Sequence, residues 1–436
     1  MRKQSLFDLS LSLFDQICSD DHLREAFRDV KRNHGAPGVD GVSVEMFESN
    51  LDKELGLLQQ EVKNWTYGPK PVRRVEIPKP DGGVRILGVP TIRDRVLQAS
   101  IRGVLEPILD PKFSANSYGF RPGRNQEQAV KAAQAIVQSG KEYVVDIDLS
   151  KFFDRIHHDR LIYRLGTHIE DKRILRLVGM ILRSGVMIDG LFSATTEGAT
   201  QGSPLSPLLS NLVLDELDKE LEERGLEFCR FADDCNIFVG SQKSADRVMI
   251  TVSKFIESRL KLVVNREKSK VAKSSAVKFL GMTIVAGALA ISAVSLQRAM
   301  AKVKELTPRG TSSAIETTVQ KINSWYVGWS NYYRMTEYPA QLKKIEAHVR
   351  RRLRSRIVSQ QKRRRILFNR LMERGVSRRQ AAKTAFSNDG RWVLSHKRAV
   401  EKAYPNEWFI KTLGLKIASD KNFPHWRPVT EWIKLA

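Results

Sequence analysis

Two adjacent aspartates, Asp233 and Asp234, sit at the tip of a predicted strand-turn-strand segment, Cys229 to Val239 (CRFADDCNIFV). Like charges so close repel unless a cation neutralises them, which makes a hard divalent metal their natural partner. A third aspartate, Asp148, lies at the end of a β-branched run, Tyr143 to Leu149 (YVVDIDL), that reads as a buried strand. If the two strands lie side by side in one sheet, Asp148, Asp233 and Asp234 can share a metal site. Oxygen-only ligands favour Mg²⁺ over zinc, with Mn²⁺ as a substitute. Two such ions, roughly 4 Å apart, would activate a 3′-hydroxyl and stabilise leaving pyrophosphate during nucleotidyl transfer. Surface turns often contain an Asp-Asp pair, so the reading depends on what surrounds it.

The surrounding elements are legible. Residues 1 to about 60 read as helical, interrupted by the turn-rich Gly35-Ala36-Pro37-Gly38-Val39-Asp40-Gly41. From Val72 to Val89 two β-branched runs flank Pro78-Lys79-Pro80-Asp81-Gly82-Gly83, which predicts a hairpin carrying Lys79 and Arg85. Between Ser206 and Glu223, Leu208, Leu209, Leu212, Val213, Leu217 and Leu221 recur at helical spacing with charges between them, the pattern of an amphipathic helix. After about Met300 the chain becomes helical and very basic, with Arg350, Arg351, Arg352, Arg354, Arg356, Lys362, Arg363, Arg364 and Arg365 close together. Trp392, Trp408, Trp426 and Trp432 follow among further cations. No internal repeat is visible.

The chain of 436 residues is 42% hydrophobic and holds 73 Lys+Arg against 49 Asp+Glu, a net charge of +24. The hydrophobic content is that of a globular protein, and the charge points to a polyanion partner. Three cysteines, Cys18, Cys229 and Cys235, form neither a disulfide framework nor a Cys-x-x-Cys metal pair, so a reducing cytoplasm is expected. No uninterrupted apolar stretch approaches 20 residues, and Asp8 breaks the apolar run at the N-terminus; neither membrane insertion nor secretion is expected.

The segment Phe231-Ala232-Asp233-Asp234 resembles the aromatic-x-Asp-Asp signature of reverse transcriptases, and Asp148-Leu149-Ser150-Lys151-Phe152-Phe153-Asp154 resembles their other metal-binding motif. Further blocks agree in order: Ser117 to Asn125 (SYGFRPGRN), Gln201 to Pro207 (QGSPLSP), Asn265 to Ser269 (NREKS) and Phe279-Leu280-Gly281. The match is closest to bacterial group II intron-encoded reverse transcriptases, the compact class without an endonuclease domain, and continues through Trp325-Tyr326-Val327-Gly328-Trp329 into their thumb. Two departures are Phe231, where the family usually has Tyr, and Ser203, where Gly is common. The chain also shows no His- and Cys-bearing nuclease module, so it is not expected to cut a second target strand itself.

The resemblance implies an α+β right-hand polymerase: an N-terminal extension over residues 1–65, fingers and palm over 66–295, a helical thumb or maturase domain over 296–380, and a basic DNA-binding region over 381–436. It implies that Lys79 and Arg85 clamp the incoming triphosphate, that Gln201 lies beside the nucleotide, and that Lys268 lies near the triphosphate and could protonate pyrophosphate. Phe153, five residues after Asp148, would exclude a 2′-hydroxyl, unless its neighbour Phe152 takes that place. Arg121 and Arg124 would contact template or phosphate, and Arg350, Arg351, Arg354, Lys362, Arg363 and Arg364 would bind nucleic acid, while Trp325 and Trp329 fit core packing better than base stacking. The implied function is an RNA-directed DNA polymerase that binds group II intron RNA, assists its splicing, and copies it with dNTPs at a DNA target. The alternatives are a polymerase domesticated for DNA repair or phage defence, and an RNA-binding splicing cofactor without catalysis.

Overall fold

The computed structural model describes residues 11–78, 83–188, 191–194, 197–308, 310–361 and 363–418; Lys79, Lys362, Trp426 and Trp432 lie outside them. The chain divides into two compact units, Met1–Lys273 and Ser274–Ala436. In chain order the described strands are β1 (Val72–Pro78), β2 (Val84–Val89), β3 (Tyr143–Ile147), β4 (Val186–Ile188), β5 (Leu191–Ser193), β6 (Glu227–Phe231), β7 (Asp234–Val239), β8 (Lys270–Lys273), β9 (Met282–Val285) and β10 (Ala288–Ile291). Helices account for most of the remaining ordered chain, and the fold is α+β.

The first unit is built around two four-stranded sheets. One has the order β2-β1-β4-β5 and carries the expected hairpin, with Arg85 opposite Ile77. The other, the palm sheet, has the order β6-β7-β3-β8, and all its pairings are antiparallel. On its core face Val145, Ile147 and Leu149 meet Cys235, Ile237 and Val239. Strand alternation therefore puts Asp146, Asp148, Asp234 and Asn236 on the opposite face.

The N-terminal segment is not a separate extension. Leu23, Phe27 and Val30, from the helix Asp20–Arg32, enter the same core as Val96, Ile101 and Leu105 of the helix Ile92–Leu109. The Ser100 hydroxyl also donates to the Ile17 carbonyl at 2.7 Å. A boundary at 65/66 would cut through that core.

The boundary between the units also falls earlier than the expected 295/296 limit. The β9–β10 hairpin belongs to the second unit because its free backbone groups are taken up by later residues. The Gln341 side chain accepts from Ile291 N–H at 2.8 Å and donates to Ile291 carbonyl at 3.0 Å, and Glu337 N–H donates to Leu289 carbonyl at 2.7 Å.

At the centre of the second unit lies the helix Pro339–Gln360, in which residues 352–359 are all buried. A helix surrounded on every side has no solvated face, and its arginines must find partners inside. Arg352 donates to Thr307 Oγ1 at 2.9 Å and to the Thr307 carbonyl at 2.6 Å, and Arg354 donates to Tyr404 carbonyl at 2.9 Å and Asn406 Oδ1 at 2.8 Å. Arg356 donates to the Ser313 carbonyl at 2.5 Å. Arg354, expected on the nucleic-acid surface, is a buried crosslink. Within the basic run Arg352, Arg354 and Arg356 cap loop carbonyls, whereas Arg363, Arg364 and Arg365 at its end are exposed. Trp325 and Trp329 pack against the core of this unit.

Candidate active site

Phe231 pairs with Asp234 across β6 and β7, leaving Ala232 and Asp233 as a two-residue turn with Ala232 at φ 58°. Such a backbone is unfavourable for any residue with a Cβ, so the turn needs outside support. Arg230 supplies it from within the sheet. Its guanidinium donates to the Ala232 carbonyl at 2.8 Å and to Asn211 Oδ1 at 3.0 Å, and to both Asp218 oxygens at 2.7 and 2.5 Å. The Arg230 and Asp218 side chains are each 0% exposed.

The helix Ser206–Glu223 presents this support. Its leucines face the core as expected, but not all of the polar residues between them face water. Asn211, Asp215 and Asp218 are buried as a second stripe, spaced four and three residues apart so that they share one side of the helix. Asn211 donates to the Gly119 carbonyl at 2.9 Å, Asp215 accepts from Ser114 N–H at 3.3 Å, and Glu222, four residues beyond Asp218, accepts from the Ser114 hydroxyl at 2.5 Å.

The SYGFRPGR block is docked on that stripe and on β6, where Tyr118 N–H donates to the Arg230 carbonyl at 2.9 Å. A Cβ on Gly119 would lie 2.2 Å from Ala232 N, so only glycine lets this loop press against the aspartate turn. Arg121, expected to reach template, is spent inside the loop: it pairs with Asp110 at 2.6 Å and donates to the carbonyls of Asp110, Ser114 and Ser117 at 2.7, 2.6 and 3.0 Å. Arg124 remains half-exposed over the Tyr118 ring.

Asp148 directly follows β3. Its N–H donates to Ser269 Oγ at 3.0 Å, and its carbonyl accepts from Asn265 N–H at 2.9 Å, so the NREKS block clamps the strand end that carries the acid. Lys268 in that block is exposed. Burial raises the Asp233 carboxyl above its ordinary pKa; the Asp148 charge adds to this, while Arg85 and Arg230 oppose it. The Asp148 charge is thus felt at Asp233, whereas Asp234 is exposed. Among the described residues no group of three or more His, Cys, Asp or Glu that could hold a metal ion is found. Two carboxylates still suit Mg²⁺, which takes its remaining ligands from water and substrate phosphate.

A cleft of about 530 Å³ opens at Asp233. Its walls include Arg85, Phe153, Gln201, Phe120 and Ser203. Phe152, the alternative for the sugar-contacting ring, is buried in the core. Gln201 reaches the cleft because Gly88 of β2 donates its N–H to the Gln201 carbonyl at 2.8 Å, and Gly202 follows at φ 112°. Ser203 hydrogen-bonds to Gln98 Oε1 at 2.8 Å and accepts from Leu205 N–H, so a hydroxyl fits where glycine is common.

Sequence reading missed Arg230, Asn211, Asp218 and Phe120. An arginine inside an apolar strand, and an aspartate on the leucine side of a helix, were the available signals for the buried pair. Arg230→Ala should strand the Asp218 carboxylate and lower stability by about 3–5 kcal/mol, read from urea unfolding. Arg230→Met with Asp218→Leu should recover much of that loss but not primer extension, because the Ala232 carbonyl still lacks its donor. A single variant as stable as the parent would refute the assignment.

Residues 77–284 match the reverse transcriptase (RNA-dependent DNA polymerase) family, and residues 296–375 match the group II intron, maturase-specific domain. Protein YkfC of Escherichia coli is 34% identical over 58% of this chain and 77% of its own length. The group II intron-encoded protein LtrA of Lactococcus lactis is 30% identical over 62% of this chain, which spans 44% of that protein. Among solved structures, the partial Cas6-RT-Cas1–Cas2 complex aligns at 25% identity with a TM-score of 0.38, covering 58% of this chain and 44% of that one. With both domains matched in tandem and a relative covered over most of its length, the chain belongs to the group II intron reverse transcriptase and maturase family.

Proposed function

We propose that the protein synthesises DNA on an RNA template and does so in partnership with a group II intron RNA, assisting its splicing and copying it at a DNA target. The observation that carries the polymerase reading is the cleft at Asp233, whose walls combine Arg85, Phe153 and Gln201. Members of the family use divalent ions, and Asp148 and Asp233 would hold them here. When bound, two Mg²⁺ ions, or Mn²⁺ in their place, lower the pKa of the primer 3′-hydroxyl and neutralise charge on the pyrophosphate. Asp234, at the start of β7, would add a ligand by a change of rotamer.

Around that pair the chain's own groups orient the dNTP. The exposed Arg85 on β2 offers a forked donor to the triphosphate, with Lys79 and the exposed Lys268 proposed to assist it. Gln201 offers its amide to the nucleotide, and the Phe153 ring fills the space a 2′-hydroxyl would need. In the second unit, Arg363, Arg364 and the half-exposed Arg350, Arg351 and Arg124 of the first unit remain cations available to phosphate, with Lys362 proposed among them. Residues 381–436 are proposed to contact the DNA target. The intron reading rests on the maturase-specific match and on the net charge of +24. None of the described helices is long and apolar enough to cross a membrane, and we place the protein in the bacterial cytoplasm, on the nucleoid when bound to DNA.

Asp233→Asn should abolish primer extension on an RNA template while leaving template-primer affinity nearly intact, because it removes a metal ligand and no phosphate contact. Extension near the parent rate would overturn the polymerase reading. Phe153→Ala should admit ribonucleotides, whereas Phe152→Ala should lower stability instead; flat ribonucleotide use in Phe153→Ala would remove the gate. Arg363→Gln with Arg364→Gln should weaken binding to structured RNA and flatten its dependence on log salt by about 0.7–0.9 per lost phosphate contact. If the intron reading holds, splicing of the cognate intron at near-physiological magnesium should fall in parallel. Splicing that is indifferent to deletion of the protein would sink that reading.

A further inference from the structure

Phe120 combines two features that are each unfavourable in the free chain. Its backbone has φ 58°, a region in which bulky residues are rare, and its side chain is 50% exposed. Neither feature is loose loop behaviour, because both flanks are fixed. Gly119 is pinned by Asn211 and pressed onto the Ala232 turn, and Arg121 is locked onto Asp110 and three carbonyls. The scaffold therefore forces the ring outward, into the cleft that Asp233, Phe153, Gln201 and Arg85 also line. Strain of this kind persists where the surrounding structure over-determines it, and it clusters at binding sites.

We propose that Phe120 is a base-stacking platform at the insertion site. This rests on the polymerase reading and extends it by naming a contact to the nucleobase rather than to sugar or phosphate. A cleft whose walls carry the Arg85 guanidinium and the Asp233 carboxylate offers groups for the charged parts of a nucleotide, the carboxylate by way of a bound cation. An exposed flat ring among them suits the uncharged part, because every base presents a π-face and stacking tolerates any sequence. The base could belong to the template or to the incoming nucleotide, and the two are separable by experiment.

Phe120→Gly and Phe120→Asn both accept a positive φ, so they remove the ring without adding strain. Each is expected to lower kcat/KM for templated dNTP insertion by about tenfold, within the worth of one stacked base, without lowering Tm. Phe120→Trp should recover part of the loss. On a template with an abasic insertion position, an equal rate for the parent and Phe120→Gly assigns the stacked base to the template, and a persisting difference assigns it to the incoming nucleotide. An independent arm uses 2-aminopurine at the templating position or in the primer terminus and measures its quenching on binding, in the Asp233→Asn background so that no chemistry occurs. Quenching lost in Phe120→Gly supports the platform even if the polymerase reading fails. Insertion and quenching both unchanged in Phe120→Gly, or a fall in Tm with unchanged insertion, would overturn it.

Discussion

Arg230 and Asp218 form an ion pair from which water is wholly excluded, and the geometry of the aspartate turn hangs on it. Taking two charges out of water is costly, and the mutual attraction of such a pair rarely exceeds that cost by much. What this pair supplies is placement. A guanidinium with five donors in a fixed plane can grip Asp218, Asn211 and the Ala232 carbonyl together. An apolar replacement could fill the volume, but it could not hold a backbone carbonyl at a chosen angle. The Ala232 turn has an unfavourable φ and carries an acid that repels Asp148, so it needs a holder that cannot slip.

The same logic extends outward. Asp148 is fixed by backbone hydrogen bonds to Ser269 and Asn265, Gln201 by the N–H of Gly88, and Phe120 by Gly119 and Arg121. Several of the sequence blocks that resemble the family hold one another in place, as Asn265 and Ser269 hold Asp148 and Gly119 meets the Ala232 turn. Phe153 belongs to this lattice as well, since its carbonyl accepts from Ala199 N–H at 2.7 Å, two residues before Gln201. The reactive groups sit on this frame, and the side chains exposed in the cleft include Arg85 on a sheet edge and the Phe120 ring.

The second unit shows how poorly charge alone reports binding. A run of arginines spaced through the helix Pro339–Gln360 would suggest a phosphate-binding surface, yet Arg352, Arg354 and Arg356 cap carbonyls of loops packed around that helix. Arginine suits this use because its long apolar stem can lie in the core while its fork satisfies several acceptors. The cations that meet solvent lie outside this buried stretch, at Lys343 and Lys344 earlier in the helix and at Arg363, Arg364 and Arg365 beyond its end.

The sequence by itself determined the strands and their acids, the hairpin with Arg85, the leucine face of the helix Ser206–Glu223 and the order of the family blocks. These are local signals, because alternation, helical spacing and turn residues act over a few positions. It also singled out Phe153, Gln201 and Asp233 as neighbours, through the resemblance rather than through any rule of spacing. What only the tertiary structure decided was which polar groups are buried. Arg121 and Arg354 look like surface cations until the carbonyls that surround them are known, and Asp218 looks like part of a solvated face until Arg230 arrives from a strand twelve residues away. The split at 273/274 and the fusion of the N-terminal helices with the palm core are likewise set by contacts between distant segments. Burial depends on what packs against a residue from elsewhere in the chain, and that partner leaves no mark in the residue's own neighbourhood.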